Sequence, residues 1–230
     1  MCSSDLADAG NGSLAYIQNP DTAIQEFSRL FNRVQSVSLT NAYLVLTLQP
    51  QVRLAELKPI AQVLPETIEL DVRREGEQAI VRLGDLMTNA PRVILANLYI
   101  SQLPVGTHAI AYAEVQYDDP TLGSSLSTDK APIDVTAQAP YQPQPDPKVQ
   151  QYILALAKYR QTQIAETKLQ AGDRTGAITM LQSATQTAIQ MGDQNAATVL
   201  QENVTQLQTG QDLSEQAKKQ TRIASKTILQ

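Results

Sequence analysis

Gly172-Asp-Arg-Thr-Gly-Ala-Ile-Thr-Met-Leu-Gln182 returns, at an offset of 20 residues, as Gly192-Asp-Gln-Asn-Ala-Ala-Thr-Val-Leu-Gln201. Glycine adopts the left-handed backbone that closes a helix, and a following aspartate can accept the first amide hydrogens of the next one. The spacing therefore predicts short antiparallel helices joined by Gly-Asp turns. Upstream, Val149, Tyr152, Ile153, Leu156, Ala157, Tyr159, Ile164, Ala165 and Leu169 recur at helical spacing and mark one long helix ending near Gly172. Residues 148–230 read as a C-terminal α-helical bundle.

Working outward, Ala139-Pro-Tyr-Gln-Pro-Gln-Pro-Asp-Pro147 precedes that block. Alternating prolines sustain neither a helix nor a strand ladder, so residues 139–147 read as a semi-rigid linker. Charge changes sign across it. From Pro147 on there are nine basic and six acidic side chains, a net +3, which leaves −8 for the remainder of a chain with net charge −5. Such a contrast marks separate domains.

Residues 37–138 are β in character. Candidate strands are Ala42–Gln49, Val52–Leu57, Thr67–Arg73, Gln78–Leu83, Arg92–Ile100, Ala109–Tyr117 and Ile133–Ala137, with turn compositions between them. Ile68, Leu70 and Val72 alternate before Arg74-Glu-Gly-Glu77, which predicts a hairpin with Gln78–Leu83. Short strands so spaced suggest a β-sandwich. Residues 1–36 are different. Ser13–Ile17 reads as a strand, and Ile24, Phe27, Leu30, Phe31 and Val34 line one face of an amphipathic helix begun near Asn19-Pro-Asp21. One strand and one helix cannot bury that stripe, so the pair reads as part of a larger α/β layer, and the stripe should make this chain sticky. The fold class expected is α+β multidomain.

Composition narrows the chemistry. The single cysteine, Cys2, excludes an internal disulfide and a Cys-cluster zinc site, and the single histidine, His108, excludes multi-His metal sites. No run approaches the roughly 18 apolar residues of a membrane helix. With no secretory leader pattern in the first residues, the expectation is a cytoplasmic chain. His108 has no nucleophile motif beside it and reads as a surface residue. Asp118-Asp119-Pro120 reads as a hairpin turn rather than a cation site, with Ser124, Ser125, Ser127 and Asp129 expected in a flexible polar loop. Lys218, Lys219, Arg222 and Lys226 are basic but lack interleaved aromatics, so they read as a solvated helix end and not a nucleic-acid surface. Ile223, Ile228 and Leu229 allow that tail to dock on its own bundle or on a partner. Gly10-Asn-Gly12 lacks the spacing of a phosphate loop. No catalytic, cofactor-binding or metal-ligating residue is assigned.

Ala7-Asp-Ala-Gly-Asn-Gly-Ser-Leu-Ala-Tyr-Ile17, followed by Asn19-Pro-Asp-Thr-Ala-Ile-Gln-Glu-Phe27, resembles the end of a von Willebrand factor type A (VWA) domain, where a small-residue turn leads into the last strand and helix. The β and Gln-rich helical parts, with Lys158-Tyr-Arg-Gln-Thr-Gln163 and Ser225-Lys-Thr-Ile-Leu-Gln230, resemble the C-terminal half of bacterial proteins carrying that domain. The resemblance implies a Mg²⁺-type site built on Asp-x-Ser-x-Ser and completed by a partner carboxylate. This sequence has no Asp-x-Ser-x-Ser; Asp212-Leu-Ser-Glu-Gln216 fails at its last position. The cation is therefore expected upstream of these residues. Met1-Cys-Ser-Ser-Asp-Leu6 resembles a translated sequencing adapter, which implies that residues 1–6 are non-native and that the chain is a C-terminal fragment. The Gly-Asp hairpins also resemble tetratricopeptide helices, though their period falls short of 34 residues.

The function expected is a non-enzymatic protein-interaction module with protein partners. One alternative is a helical-hairpin scaffold binding through residues 148–230. Another is a hydrolase with an unrecognised site around His108, Asp118 and Asp119.

Overall fold

The computed structural model describes residues 23–25, 27, 28, 31, 36–88 and 90–227. From residue 37 on there are eleven strands: β1 (Val37–Leu48), β2 (Val52–Leu54), β3 (Ile60–Leu64), β4 (Ile68–Glu69), β5 (Val72–Glu75), β6 (Gln78–Met87), β7 (Val93–Ala96), β8 (Leu98–Ile100), β9 (Gly106–Asp119), β10 (Ser124–Ser127) and β11 (Ala131–Ala137). Four helices follow: α1 (Pro147–Gln170), α2 (Arg174–Gln190), α3 (Gln194–Gln208) and α4 (Glu215–Lys226). The class is α+β with a C-terminal helical part. The expected strand Ser13–Ile17 lies outside the described residues. Residues 23–25, 27, 28 and 31 are helical, with Ile24, Phe27 and Phe31 exposed.

Two compact units divide the chain. The sheet unit takes residues up to Ile60, Glu69–Pro91 and Ala96–Pro143; the helical unit takes Ala61–Ile68, Arg92–Leu95 and Gln144–Gln230.

In the sheet unit, six antiparallel strands run in the order β10-β9-β1-β6-β5, with β11 also on β9. β1 and β6 pair Leu44 with Val81 and Leu46 with Ala79. Ala79, Val81 and Leu83 alternate inward on β6 and are buried with Val45, Leu46, Ile110 and Ala111. β9 is long enough to hold two successive neighbours: β11 along its first half and β10 along its last four residues. β2 and β8 form a separate ribbon, on which Arg53 lies over the Tyr99 ring at 4.6 Å.

Two expectations need correction here. The hairpin β5–β6 begins at Val72 and not at Thr67, turning through Gly76 at φ +58°. Ile68–Glu69 leave it as β4 and join β3 and β7, while the Leu70 amide donates to Ile60 O at 3.0 Å. Ile68 and Leu70 are both buried, and that burial outweighs continuing an exposed ladder. The polar stretch Ser124–Ser127 is strand β10, not a loop. Asp118 holds it in register by accepting from the Ser125 hydroxyl at 2.6 Å.

The helical unit is closed by one repeated device. At each of three turns a glycine with positive φ follows the helix: Gly172 (+79°), Gly192 (+76°) and Gly210 (+85°). Its amide donates back three residues and the next amide donates back five: Asp173 to Lys168 O, Asp193 to Ala188 O, Gln211 to Gln206 O. That is the Schellman closure, which satisfies carbonyls a helix end otherwise orphans. Inside, Leu181, Ala184, Ala188, Ala196, Leu200, Val204, Leu207 and Leu213 form a core in which the alanines let the helices approach closely. Residues 61–68 bring Ala61, Val63, Leu64, Thr67 and Ile68, all buried. Buried Gln62 is satisfied by Arg92 Nη1 at 2.6 Å and by the Glu66 carbonyl at 3.2 Å.

Candidate functional site

The most unusual chemistry lies inside the helical unit. On α1, Ala155, Lys158, Tyr159, Thr162 and Ala165 are the buried positions, at the i, i+3, i+4, i+7 spacing of a core-facing stripe. Lysine at such a position places an ammonium where it needs an anion and further acceptors. Lys158 is 0% exposed, and its Nζ lies 2.6 Å from Asp193 Oδ2 and 3.0 Å from the Thr227 carbonyl. Asp193 arrives there because the Gly192 turn presents it as N-cap of α3, where its Oδ1 accepts the Ala196 amide at 3.0 Å. Thr227 arrives at the end of α4, next to Lys226, whose carbonyl accepts the Thr67 amide at 3.0 Å. Arg222, one turn earlier, forms a two-pronged pair with Glu166 of α1. Gln161 bridges α1 to α2 through Ser183 at 2.9 Å and Thr187 at 3.0 Å.

One cation thus joins α1, the α2–α3 turn and the end of α4. Chemically it is a fastening: a fully buried ammonium between a carboxylate and a carbonyl meets no solvent-borne substrate. In the sequence Lys158 stands in the stretch Lys158-Tyr-Arg-Gln-Thr-Gln163, which carries no site motif. The signal that finds it is its place in the inward heptad of α1.

The residues weighed from sequence are not brought together. His108 and Asp118 stand near opposite ends of β9, roughly 30 Å of strand apart. His108 Nε2 is 2.8 Å from the Pro104 carbonyl. Asp118 is held below the usual carboxylate range by the Ser125 hydroxyl and then by Asn41, whose Nδ2 donates at 3.0 Å. Asp119 is lowered likewise by the Thr121 hydroxyl and amide, as in an aspartate-closed turn. In the basic tail, Lys218 pairs with Glu215, Arg222 with Glu166, and Lys226 is buried. Gly10–Gly12, Cys2, Ile228 and Leu229 lie outside the described residues.

The VWA resemblance implies a Mg²⁺ site, and the stretch nearest to its motif, Asp212–Gln216, has the side chains of Asp212, Ser214 and Glu215 in other bonds. Among the described residues no three His, Cys, Asp or Glu side chains cluster. Asp212 is ion-paired with Arg174, Ser214 caps α4, and Glu215 bonds Lys218, so the nearest sequence analogue of the motif is engaged elsewhere. Among the described residues no helix is long and apolar enough to cross a membrane.

The arrangement matches known proteins at two levels. Its fold is that of a VWA protein: the structure of von Willebrand factor type A from Catenulispora acidiphila superposes with a TM-score of 0.77, covering 98% of this chain and 55% of that one at 14% identity. At that identity the likeness concerns fold alone. The ArnB paralog VWA2 from Sulfolobus acidocaldarius aligns at a TM-score of 0.40 and 13% identity, over 96% of this chain and 51% of that one. More particularly, residues 147–230 match the family described as "Sll0103-like, C-terminal alpha-helical domain". The chain is 56% identical over 226 residues to "Uncharacterized protein sll0103" of Synechocystis sp. (strain ATCC 27184 / PCC 6803 / Kazusa), covering 98% of this chain and 54% of that protein. This chain spans about half the length of the relatives it matches.

Proposed function

We propose that this chain is a non-enzymatic protein-interaction module: the C-terminal part of a VWA-domain protein, whose metal-dependent ligand contact lies upstream of residue 7. The β part, read as sandwich-like, and the helical unit support and position that contact. The observation that carries the reading is the VWA-like fold across 98% of the chain, joined to an Sll0103-like helical part. The missing cation motif fits a division in which these residues serve as frame.

The test is calorimetric titration of Mg²⁺ into the 230-residue chain and into a chain extended upstream by its own genomic sequence. The extended chain binds one ion and the 230-residue chain binds none. Stoichiometric binding to the 230-residue chain, or an upstream frame without Asp-x-Ser-x-Ser, overturns the proposal.

A second reading, a helical scaffold binding a protein through residues 148–230, is favoured by Val149, Ile153 and Ile164. All three are exposed and fall within about 60° of one another on α1. Replacing them together by Gln would abolish partner capture on this reading and leave it intact on the first.

A further inference from the structure

The end of α4 is held by two consecutive carbonyls, and each has an unusual partner. Lys226 O accepts from the Thr67 amide of an extended segment; Thr227 O accepts from the Nζ of Lys158. A helix ending at a protein surface turns such carbonyls to water. Here Ser225 and Lys226 are buried, and the cation on Thr227 also grips Asp193. On the other side of the contact, Ala61, Val63, Leu64, Thr67 and Ile68 are buried within the same unit.

Taken together, we propose that the C-terminal end of α4 is a latch. Lys158 keeps it shut, Thr67 is its catch, and the segment Ala61–Ile68 leaves the helical unit when the latch opens. The asymmetry of the contacts supports this. All four helices are joined by Schellman turns, and Leu213, Ala217 and Ala224 bring the body of α4 to the shared core, whereas its last residues, 225–227, are polar and are held by hydrogen bonds to Lys158 and Thr67. Bonds of that kind yield before a packed core does. The segment continues in sequence into Ile60 and Glu69 and is paired with β7, most of which belongs to the same unit, so an event that draws residues 225–227 away from Lys158 removes its anchor at Thr67 and leaves the β3–β7 pairing and the Gln62–Arg92 bond to hold it. A ligand that preferred the open form would be read out as loss of that strand.

Native-state hydrogen exchange on the whole 230-residue chain, followed at rising urea, tests this. The Thr67 amide, bonded to Lys226, and the Thr227 amide, bonded to Ile223, should share one opening isotherm. Amides of the Leu181–Leu207 core should open later. In Lys158→Met/Asp193→Asn, where no buried charge is left unpaired and Asn can still cap α3, both amides should exchange at least tenfold faster together. Those of Val45 and Val81 in the sheet unit should keep their rates. Separate isotherms for Thr67 and Thr227, one isotherm for the entire helical unit, or a faster Thr227 beside an unchanged Thr67 would overturn the latch. The wild-type isotherms decide the matter even if the double variant fails to fold.

Discussion

Asp173 and Asp193 use their two carboxylate oxygens in the same way. In each, Oδ1 accepts the amide three residues on, Gly176 at 2.8 Å and Ala196 at 3.0 Å. In each, Oδ2 takes a lysine, Lys168 at 2.7 Å and Lys158 at 2.6 Å. The difference is where the lysine comes from. Lys168 belongs to the turn just closed and both partners are exposed; Lys158 reaches across from the middle of α1 and both partners are buried.

That difference sets a stability order. Lys158→Ala strands a buried carboxylate and Asp193→Ala strands a buried ammonium, so each should cost about 3–5 kcal/mol. Asp173→Ala removes an exposed cap and pair and should cost distinctly less. Urea unfolding of the three variants decides it; comparable losses for Asp173→Ala and Asp193→Ala would show that the pair in the core is no more than a second cap.

Acid should weaken the fold through the exposed carboxylates. Asp173 is held below the usual range by Lys168 and then by the Gly176 amide; Glu215 is lowered by Lys218. A carboxyl lowered in the folded state binds its proton less readily there than in the unfolded chain. Its contribution is therefore complete above the ordinary carboxylate range and disappears as pH falls through the folded value, from about pH 5 downward. Asp173→Asn keeps an acceptor for the cap and should flatten the acid limb of stability against pH, measured as the urea midpoint. An unchanged acid limb would place the effect elsewhere.

Gly172 and Gly192 both sit in the left-handed region, and a Cβ at either would touch nothing within 4 Å. Alanine there should therefore cost the backbone term alone, about 1–2 kcal/mol each, with the two losses additive. Thermal melts of the single and double variants test this. Gly176 differs, because a Cβ on it would overlap the Asp173 carboxylate. Gly176→Ala should flatten the acid limb as Asp173→Asn does.

Thr67 is fully buried, and its hydroxyl alone among the buried side-chain polar atoms of the described residues has no hydrogen-bond partner. A desolvated hydroxyl without a partner opposes folding, so Thr67→Val should be neutral or stabilising by up to about 1 kcal/mol. A loss of stability in chemical denaturation would reveal a partner for that oxygen.

The helices were legible because their signals are local. Gly-Asp at 172 and 192 specifies both ends of a turn in two residues, whereas the third turn, at Gly210, carries no such pair because Gln211 does not cap the next helix; Ser214 does. The strands were legible as elements but not as neighbours. Ile60–Leu64 follows Lys58-Pro59 with no alternation, all five residues being buried, so no period-2 signal marks it. Thr67–Arg73 alternates well enough to read as one strand, yet its first residues answer to burial beside β3. The Lys158 centre was invisible as a site because Lys158, Asp193 and Thr227 are separated by whole helices. Only the misplaced lysine of α1 hints at it.

Asp173 and Asp193 each end one helix with their amide and begin the next with their carboxylate, leaving no slack residue in either joint. Inserting a single residue there would swing the following helix by about 100° about its axis and turn its alanine face outward. Length variation among related chains should accordingly gather between Gly210 and Ser214, the one joint where the closing residue, Gln211, and the opening residue, Ser214, are different.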